Sequence, residues 1–330
     1  MQFSRDLVCP LCHGDIKECP EVLTCEVCGA DFPVIFGIPD MRPRAARSVY
    51  YDDPTELAEL AEAATRLSYE ELETLAFGKA EGFQALYRQA AEQRGEDHWA
   101  EAERMAGGSP AGAHNLALDI GCGPGGNLVS LARRFGRSYG VDVNFKLLIL
   151  ARRRLEERGL GDRTMVVAAS GDALPFPSDT FDYVTAMNVI EHVEDQRGML
   201  AEIHRVLFEE GALFFDSPNR FTLLPEPHVK LWGVGFLPRT WADPYVRWRK
   251  GIGYEGKRLL SLVELRKMMR RQFRSFRIHL PSYEERSYYP EGRGKKAVRY
   301  AYNGVFRRLP VTRELLFPFV PTYNVLARKK

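Results

Sequence analysis

Leu116-Ala-Leu-Asp-Ile-Gly-Cys-Gly-Pro-Gly-Gly-Asn-Leu-Val129 is the stretch that decides the fold. Apolar and small residues lead to Asp119 and Ile120. The cluster Gly121, Gly123, Gly125 and Gly126 follows, and then a helix-like run. A strand that enters a glycine turn and then a helix brings backbone close to a ligand where the helix N-terminus points at it. Glycine suits such a turn because it accepts positive φ and has no Cβ to hold a ligand off. Gly121-x-Gly123-x-x-Gly126 also fits the dinucleotide fingerprint, with Asp142 as its ribose acid. The order of the downstream segments decides between the ligands.

Outward from this stretch, strands are predicted at 116–120, 138–142, 164–168, 181–187 and 212–216. Helical segments lie between them at about 126–135, 145–157 and 195–207. This alternation predicts an α/β, doubly wound, Rossmann-like sheet with right-handed crossovers. A helix over 261–273 and strands over 276–280 and 323–328 complete seven strands, the last one antiparallel. Upstream, 42–52 reads as a linker and 53–105 as two or three helices, with Ser68-Tyr-Glu-Glu71 as a capping box. Residues 42–112 are thus a linker and helical lid region, and 113–330 form the large domain.

Five of the six cysteines fall in the first 28 residues. Cys9, Cys12, Cys25 and Cys28 form a C-x2-C-x12-C-x2-C pattern, which predicts two knuckles closing a structural four-thiolate zinc site. A disulfide framework is disfavoured by the paired spacing and by a start, MQFSRDLVCP, that lacks an apolar core after a basic residue. The expected location is cytoplasmic. Residues 1–41 are therefore expected to be a small zinc ribbon.

The net charge of +2 conceals an asymmetry. Residues 220–330 carry 25 Lys/Arg against 8 Asp/Glu, whereas residues 1–219 carry 21 against 36. A basic third points to an anionic partner: RNA, an anionic membrane surface or a phosphate-bearing substrate. Trp232, Trp241 and Trp248 are interleaved with Lys230, Arg239, Arg247, Arg249 and Lys250, a mixture that stacks on bases or sits at a headgroup boundary. Core packing is the competing role for each tryptophan.

The knuckles with Phe32-Pro-Val-Ile-Phe-Gly-Ile-Pro-Asp-Met41 resemble the small zinc-ribbon family related to the methyltransferase-activator subunit. The order LDIGCGPGG, GVDVN, SGDALPFPSDTFDYV, AMNVIEHV and EIHRVLFEEGALFFDSPNR resembles class I S-adenosylmethionine-dependent methyltransferases of the ubiquinone O-methyltransferase type. The resemblance implies roles for particular residues. Asp119 lies near the methionyl ammonium, Gly121 and Gly123 at the methionyl end, and Asp142 on the ribose hydroxyls. Asp172 accepts from the adenine amine, the Ala173 N–H donates to the ring, and Asn188 borders the sulfonium. It also implies that the basic segments at about 220–260 and 281–320 are insertions on the acceptor side.

Methyl transfer to a hydroxyl needs alignment and a proton acceptor, for which His192 is the first candidate, with Glu191 and His228 behind it. The expected activity is O-methylation of a small-molecule, glycan or lipid-linked acceptor, reached at the inner membrane face in the lipid case. An RNA methyltransferase and a noncatalytic binding module with the cofactor fold are the rival readings.

Overall fold

The computed structural model describes residues 6–43, 53–79, 81, 85, 88–110, 115–280 and 315–330. The large domain is built on β5 (Leu116–Ile120), β6 (Arg137–Asp142), β7 (Thr164–Ala168), β8 (Phe181–Ala186), β9 (Leu207–Pro218), β10 (Ser275–His279) and β11 (Thr322–Arg328). The spatial order is β10-β11-β9-β8-β5-β6-β7. Strands β5 to β9 run parallel, and β11 is antiparallel to both β9 and β10. The predicted seven strands and single reversal are therefore present. All six residues of β8 are buried, as expected for a central strand covered on both faces. Strand β9 begins earlier than the predicted 212, because Leu207 already pairs with Phe181 as soon as the preceding helix ends.

The crossover helices are α4 (Gly126–Ala132), α5 (Phe145–Glu157) and α6 (Gln196–Val206). Asn144 caps α5 by accepting from the Leu147 N–H, and Asp195 caps α6 by accepting from the Arg197 and Gly198 N–H groups. Upstream lie α1 (Pro54–Ala64), α2 (Tyr69–Phe77) and α3 (Ala91–Ala106). Ser68 and Glu71 form the predicted capping box at the start of α2. Helices α1 and α2 pack on α5, and α3 packs on α4. Downstream, α7 (Arg239–Lys250) and α8 (Leu262–Gln272) follow β9. Residues 220–260 loop back toward the end of β8, and their return is pinned by the Arg258 N–H on the Glu191 carbonyl at 2.7 Å. Most of the predicted 281–320 insertion lies outside the described residues.

The N-terminal segment forms a four-stranded antiparallel sheet: β1 (Ile16–Cys19), β2 (Val22–Cys25), β3 (Asp31–Ile35) and β4 (Ile38–Pro39). It extends the large sheet at its β7 edge. Asp40 bridges Ala168 in parallel, Met41 N–H donates to the Ala168 carbonyl at 2.8 Å, and Val8 N–H donates to the Pro175 carbonyl at 3.0 Å. Leu7, Leu23, Phe32 and Met41 share one apolar core with the sheet. Among the described residues no helix is long and apolar enough to cross a membrane.

Candidate active site

The strand order reverses around β5, whose neighbours are β6 and β8, and in open α/β sheets the ligand crevice lies at the carboxyl ends of the strands beside such a switch point. Gly121 has φ 65° and Gly123 φ 51°. A Cβ at Gly121 would lie 2.3 Å from the Val189 side chain, whereas one at Gly123 would meet nothing within 4 Å. The second position therefore faces open space, as a ligand cradle requires.

Asp119 lies buried at the end of β5. Its Oδ1 accepts from Thr185 Oγ1 at 2.7 Å and Asn127 Nδ2 at 2.8 Å, but its Oδ2 is buried with no hydrogen-bond partner. Burial pushes its pKa up to about 6, against the pull of those two donors. A cationic amine at Oδ2 would satisfy the orphaned oxygen and pull the pKa back down. Asp142, at the end of β6, accepts from the Gly123 N–H at 2.9 Å on one oxygen and from the Asn144 N–H at 2.8 Å on the other. Burial raises its pKa, and these N–H donors and the nearby Arg42 charge oppose the rise. A carboxylate has about four lone-pair sites, so each oxygen retains capacity to accept a hydroxyl.

Beyond β7, Asp172 accepts from Ser170 Oγ in a turn that also takes the Ala173 N–H onto the Ser170 carbonyl at 3.1 Å. The free donor predicted at Ala173 is thus spent within the chain, because Ser170 and Ala173 close a bridge there. Asn188 sits exposed at the end of β8 with φ 55°, its N–H donating to Asp216 on β9.

A second polar group lies beside this crevice. Glu191 is 1% exposed and neither carboxyl oxygen has a hydrogen-bond partner. Burial, with Asp216 and Glu226 adding to it, pushes its pKa up to about 8, so it is largely protonated at neutral pH. His228 Nε2 and His192 Nε2 lie 3.8 and 3.9 Å from Glu191 Oε1, and the two rings meet edge to face. His228 Nδ1 lies 2.5 Å from Glu226 Oε1, and Glu226 Oε2 also accepts the His228 and Val229 N–H groups. Burial alone would raise the Glu226 pKa, but these donors outweigh it and hold the group ionised. An ionised partner at Nδ1 fixes the proton there and leaves Nε2 with a lone pair. The side chain of His192 is 43% exposed, and burial, with the His228 and Lys257 charges, lowers its pKa.

The structure therefore brings all three proton-handling candidates together and gives His228 the orienting carboxylate. Glu226 was missed from sequence, although its spacing two residues before His228 was visible. Asn127 and Thr185, which hold Asp119, were missed: Thr185 reaches it from a strand 66 residues away, and Asn127 does so from the helix that follows the glycine turn.

In the N-terminal sheet, Cys9, Cys12, Cys25 and Cys28 present thiols that all lie within 4.8 Å of one another. The Sγ atoms of Cys9 and Cys28 are 3.6 Å apart and those of Cys12 and Cys25 are 3.5 Å apart. A zinc tetrahedron with bonds of about 2.3 Å has edges of about 3.8 Å. Knuckle N–H groups of Leu11, Val27 and Cys28 point at Sγ of Cys9 or Cys25 at 3.4 Å, as thiolate ligands require. The donor set fits a closed, tetrahedral metal site.

Residues 118–215, from β5 to β9, match the family described as "Methyltransferase domain". Over these residues the chain is similar to that family. It is also similar to a ubiquinone/menaquinone biosynthesis C-methyltransferase, UbiE, of Marinomonas sp., with 36% identity over 113 residues, 32% of this chain and 45% of that one. A ubiquinone biosynthesis O-methyltransferase of Azoarcus sp. is 34% identical over 108 residues, 33% of this chain and 46% of that one. The chain thus spans less than half the length of these curated relatives. The crystal structure of a candidate sarcosine dimethylglycine methyltransferase from Galdieria sulphuraria superposes with a TM-score of 0.50 at 16% identity, covering 79% of this chain and 98% of that one. That likeness shows the shared fold.

Proposed function

We propose that the protein is an S-adenosylmethionine-dependent methyltransferase acting on a hydroxyl of a small-molecule, glycan or lipid-linked acceptor. The observation that carries this is the buried, partnerless Oδ2 of Asp119, two residues before a glycine turn that leaves open space at Gly123, an oxygen that a cationic amine would satisfy. S-adenosylmethionine supplies an electrophilic methyl group. Asp119 holds its ammonium, Gly121 and Gly123 shape the methionyl end, Asp142 accepts from the ribose, and Asp172 accepts from the adenine amine. Asn188 borders the space where the acceptor meets the methyl group. The chain's main contribution is alignment of the two reactants.

The acceptor must shed a proton as it attacks, and His228, held by Glu226, takes it at Nε2, with His192 alongside. The similarity to ubiquinone C- and O-methyltransferases supports a small acceptor over RNA. The four cysteines hold a structural zinc ion that supplies folding energy to a segment too short to fold by apolar burial alone.

Calorimetry with S-adenosylmethionine tests the core of this reading. Asp142→Ala deletes two charge-assisted hydrogen bonds, together about 3 kcal/mol or more, so affinity should fall at least about a hundredfold. The variant's circular dichroism should be unchanged. Undiminished binding by this variant would refute the ribose assignment. Radiolabelled methyl transfer into small-molecule, lipid, glycan and RNA fractions then identifies the acceptor class.

A further inference from the structure

Eight of the fifteen exposed large apolar side chains among the described residues fall between 223 and 263. The core role open to the tryptophans in sequence is not the one they take: Trp232 is 61% exposed, Trp241 66% and Trp248 76%. On α7, Ala242 and Val246 turn inward onto Val229 and Val234, while Trp241 and Trp248, two turns apart, share an outward flank. Trp232 stacks on Phe236 in the turn that packs against α7. Leu224, Ile252 and Val263, from the same stretch of chain, are also at least half exposed.

Charge surrounds it. Residues 220–280 carry 14 Lys/Arg and 4 Asp/Glu. Each of those acids is already engaged inside the protein: Glu226 with His228, Asp243 and Glu255 with Arg247, and Glu264 with Arg239. The positive surplus therefore has no counter-charge left among the acids of its own segment, 220–280. The Arg239–Glu264 pair also joins the first turns of α7 and α8. The outward face of α8, with Val263, Arg266, Lys267, Arg270 and Arg271, lines a surface depression beside that junction.

We propose that this surface, centred on Trp241 and Trp248 of α7 and flanked by the basic face of α8, docks the protein onto an anionic lipid bilayer. Large apolar side chains left exposed in such number along one stretch of chain point to an interaction site. Tryptophan settles at the headgroup boundary, and arginine and lysine beside it reach the lipid charges. The Arg249 guanidinium lies 5.4 Å from the Trp248 ring centroid, a pairing that keeps the charge at the level of the ring. The aliphatic members favour lipid over RNA, since Leu224, Ile252 and Val263 offer a base nothing to stack on. Glu226 and His228 lie in the same segment, so the docked face adjoins the proton-accepting group. A lipid-linked acceptor would enter from that side. This last connection rests on the proposed methyl transfer, whereas docking itself does not.

Sedimentation of the full chain with vesicles tests the proposal, using phosphatidylcholine alone and phosphatidylcholine mixed with phosphatidylglycerol. Binding should require phosphatidylglycerol and weaken with salt. It should fall about fivefold for each charge removed by Arg249→Gln and Lys250→Gln. Tryptophan emission should shift to the blue on binding, and Trp241→Ala with Trp248→Ala should abolish both shift and sedimentation. Calorimetric binding of S-adenosylmethionine at parental affinity establishes that each variant is folded. Three results overturn the proposal: no sedimentation, equal binding to phosphatidylcholine alone, or tight binding of single-stranded RNA with none to vesicles. If the parent protein failed to bind S-adenosylmethionine, the methyl-transfer reading would fall while the vesicle result stood, with circular dichroism then checking the variants' fold.

Discussion

Replacing Arg42 with methionine should loosen the N-terminal sheet and the cofactor crevice together. Arg42 is 6% exposed and faces Asp40, 3% exposed, through Nε–Oδ1 at 2.9 Å and Nη2–Oδ2 at 3.1 Å. Its Nη1 donates to the Val143 carbonyl at 2.7 Å, one residue beyond Asp142, the proposed ribose acid, and its charge opposes the burial that raises the Asp142 pKa. Removing one member of a buried pair strands the other charge in the interior and costs about 3–5 kcal/mol. Arg42→Met should therefore lower stability in urea by that amount and weaken S-adenosylmethionine binding measured by calorimetry. The double variant Asp40→Asn/Arg42→Met removes both charges and should recover much of the loss, giving a coupling energy of about 2–3 kcal/mol. A single-variant cost under about 1 kcal/mol, or a double variant whose losses simply add, would refute the claim that this pair fastens the two sheets.

Three further outcomes follow from the polar groups. The Glu191 carboxyl titrates at about 8 in the fold against an ordinary 4.5, so the folded chain holds a proton that the unfolded chain releases between those values. Stability should therefore fall as pH rises through that window, and Glu191→Gln should flatten the decline while matching the parent below pH 4.5; an unchanged slope in urea titrations would contradict the assignment. Glu226→Gln removes the charge that orients His228, so turnover should drop by about 10²-fold or more with S-adenosylmethionine affinity intact; equal losses in both would point to misfolding instead. Metal analysis should find one zinc per chain, and Cys12→Ser, with its thiol exposed yet part of the four-sulfur cluster, should lose the metal and lower Tm.

Local pattern carried much of this into the sequence. The β5 turn, the capping box at Ser68–Glu71 and the cysteine knuckles each depend on residues within a few positions of one another, so spacing alone revealed them. The acid positions Asp119, Asp142 and Asp172 were legible through the resemblance of their motifs, and Asp119 and Asp142 lie at the ends of β5 and β6 with Asp172 just beyond β7. What the sequence hid is long-range. Thr185 reaches Asp119 across neighbouring strands, and Arg42, read as linker, reaches Val143 over a hundred residues away. The ranking of His192 above His228 came from its place in a motif, whereas the orienting carboxylate that distinguishes His228 is visible only in space. The tryptophans needed three dimensions as well, since periodicity could not say which side of α7 the rest of the chain would cover.

The junction of Asp40 with Ala168 bears on how the chain comes off the ribosome. The cysteine-rich segment emerges before that strand, so a metal ion held by its four thiols would bind early, yet the β7 edge on which it docks is made more than a hundred residues later. Closing so long a loop costs about 4 kcal/mol of chain entropy, which a preformed metal-bound module does not have to add to the cost of its own ordering. Early metallation would thus set the pace of assembly, and metal starvation during translation would leave the β7 edge bare and open to pairing with another chain.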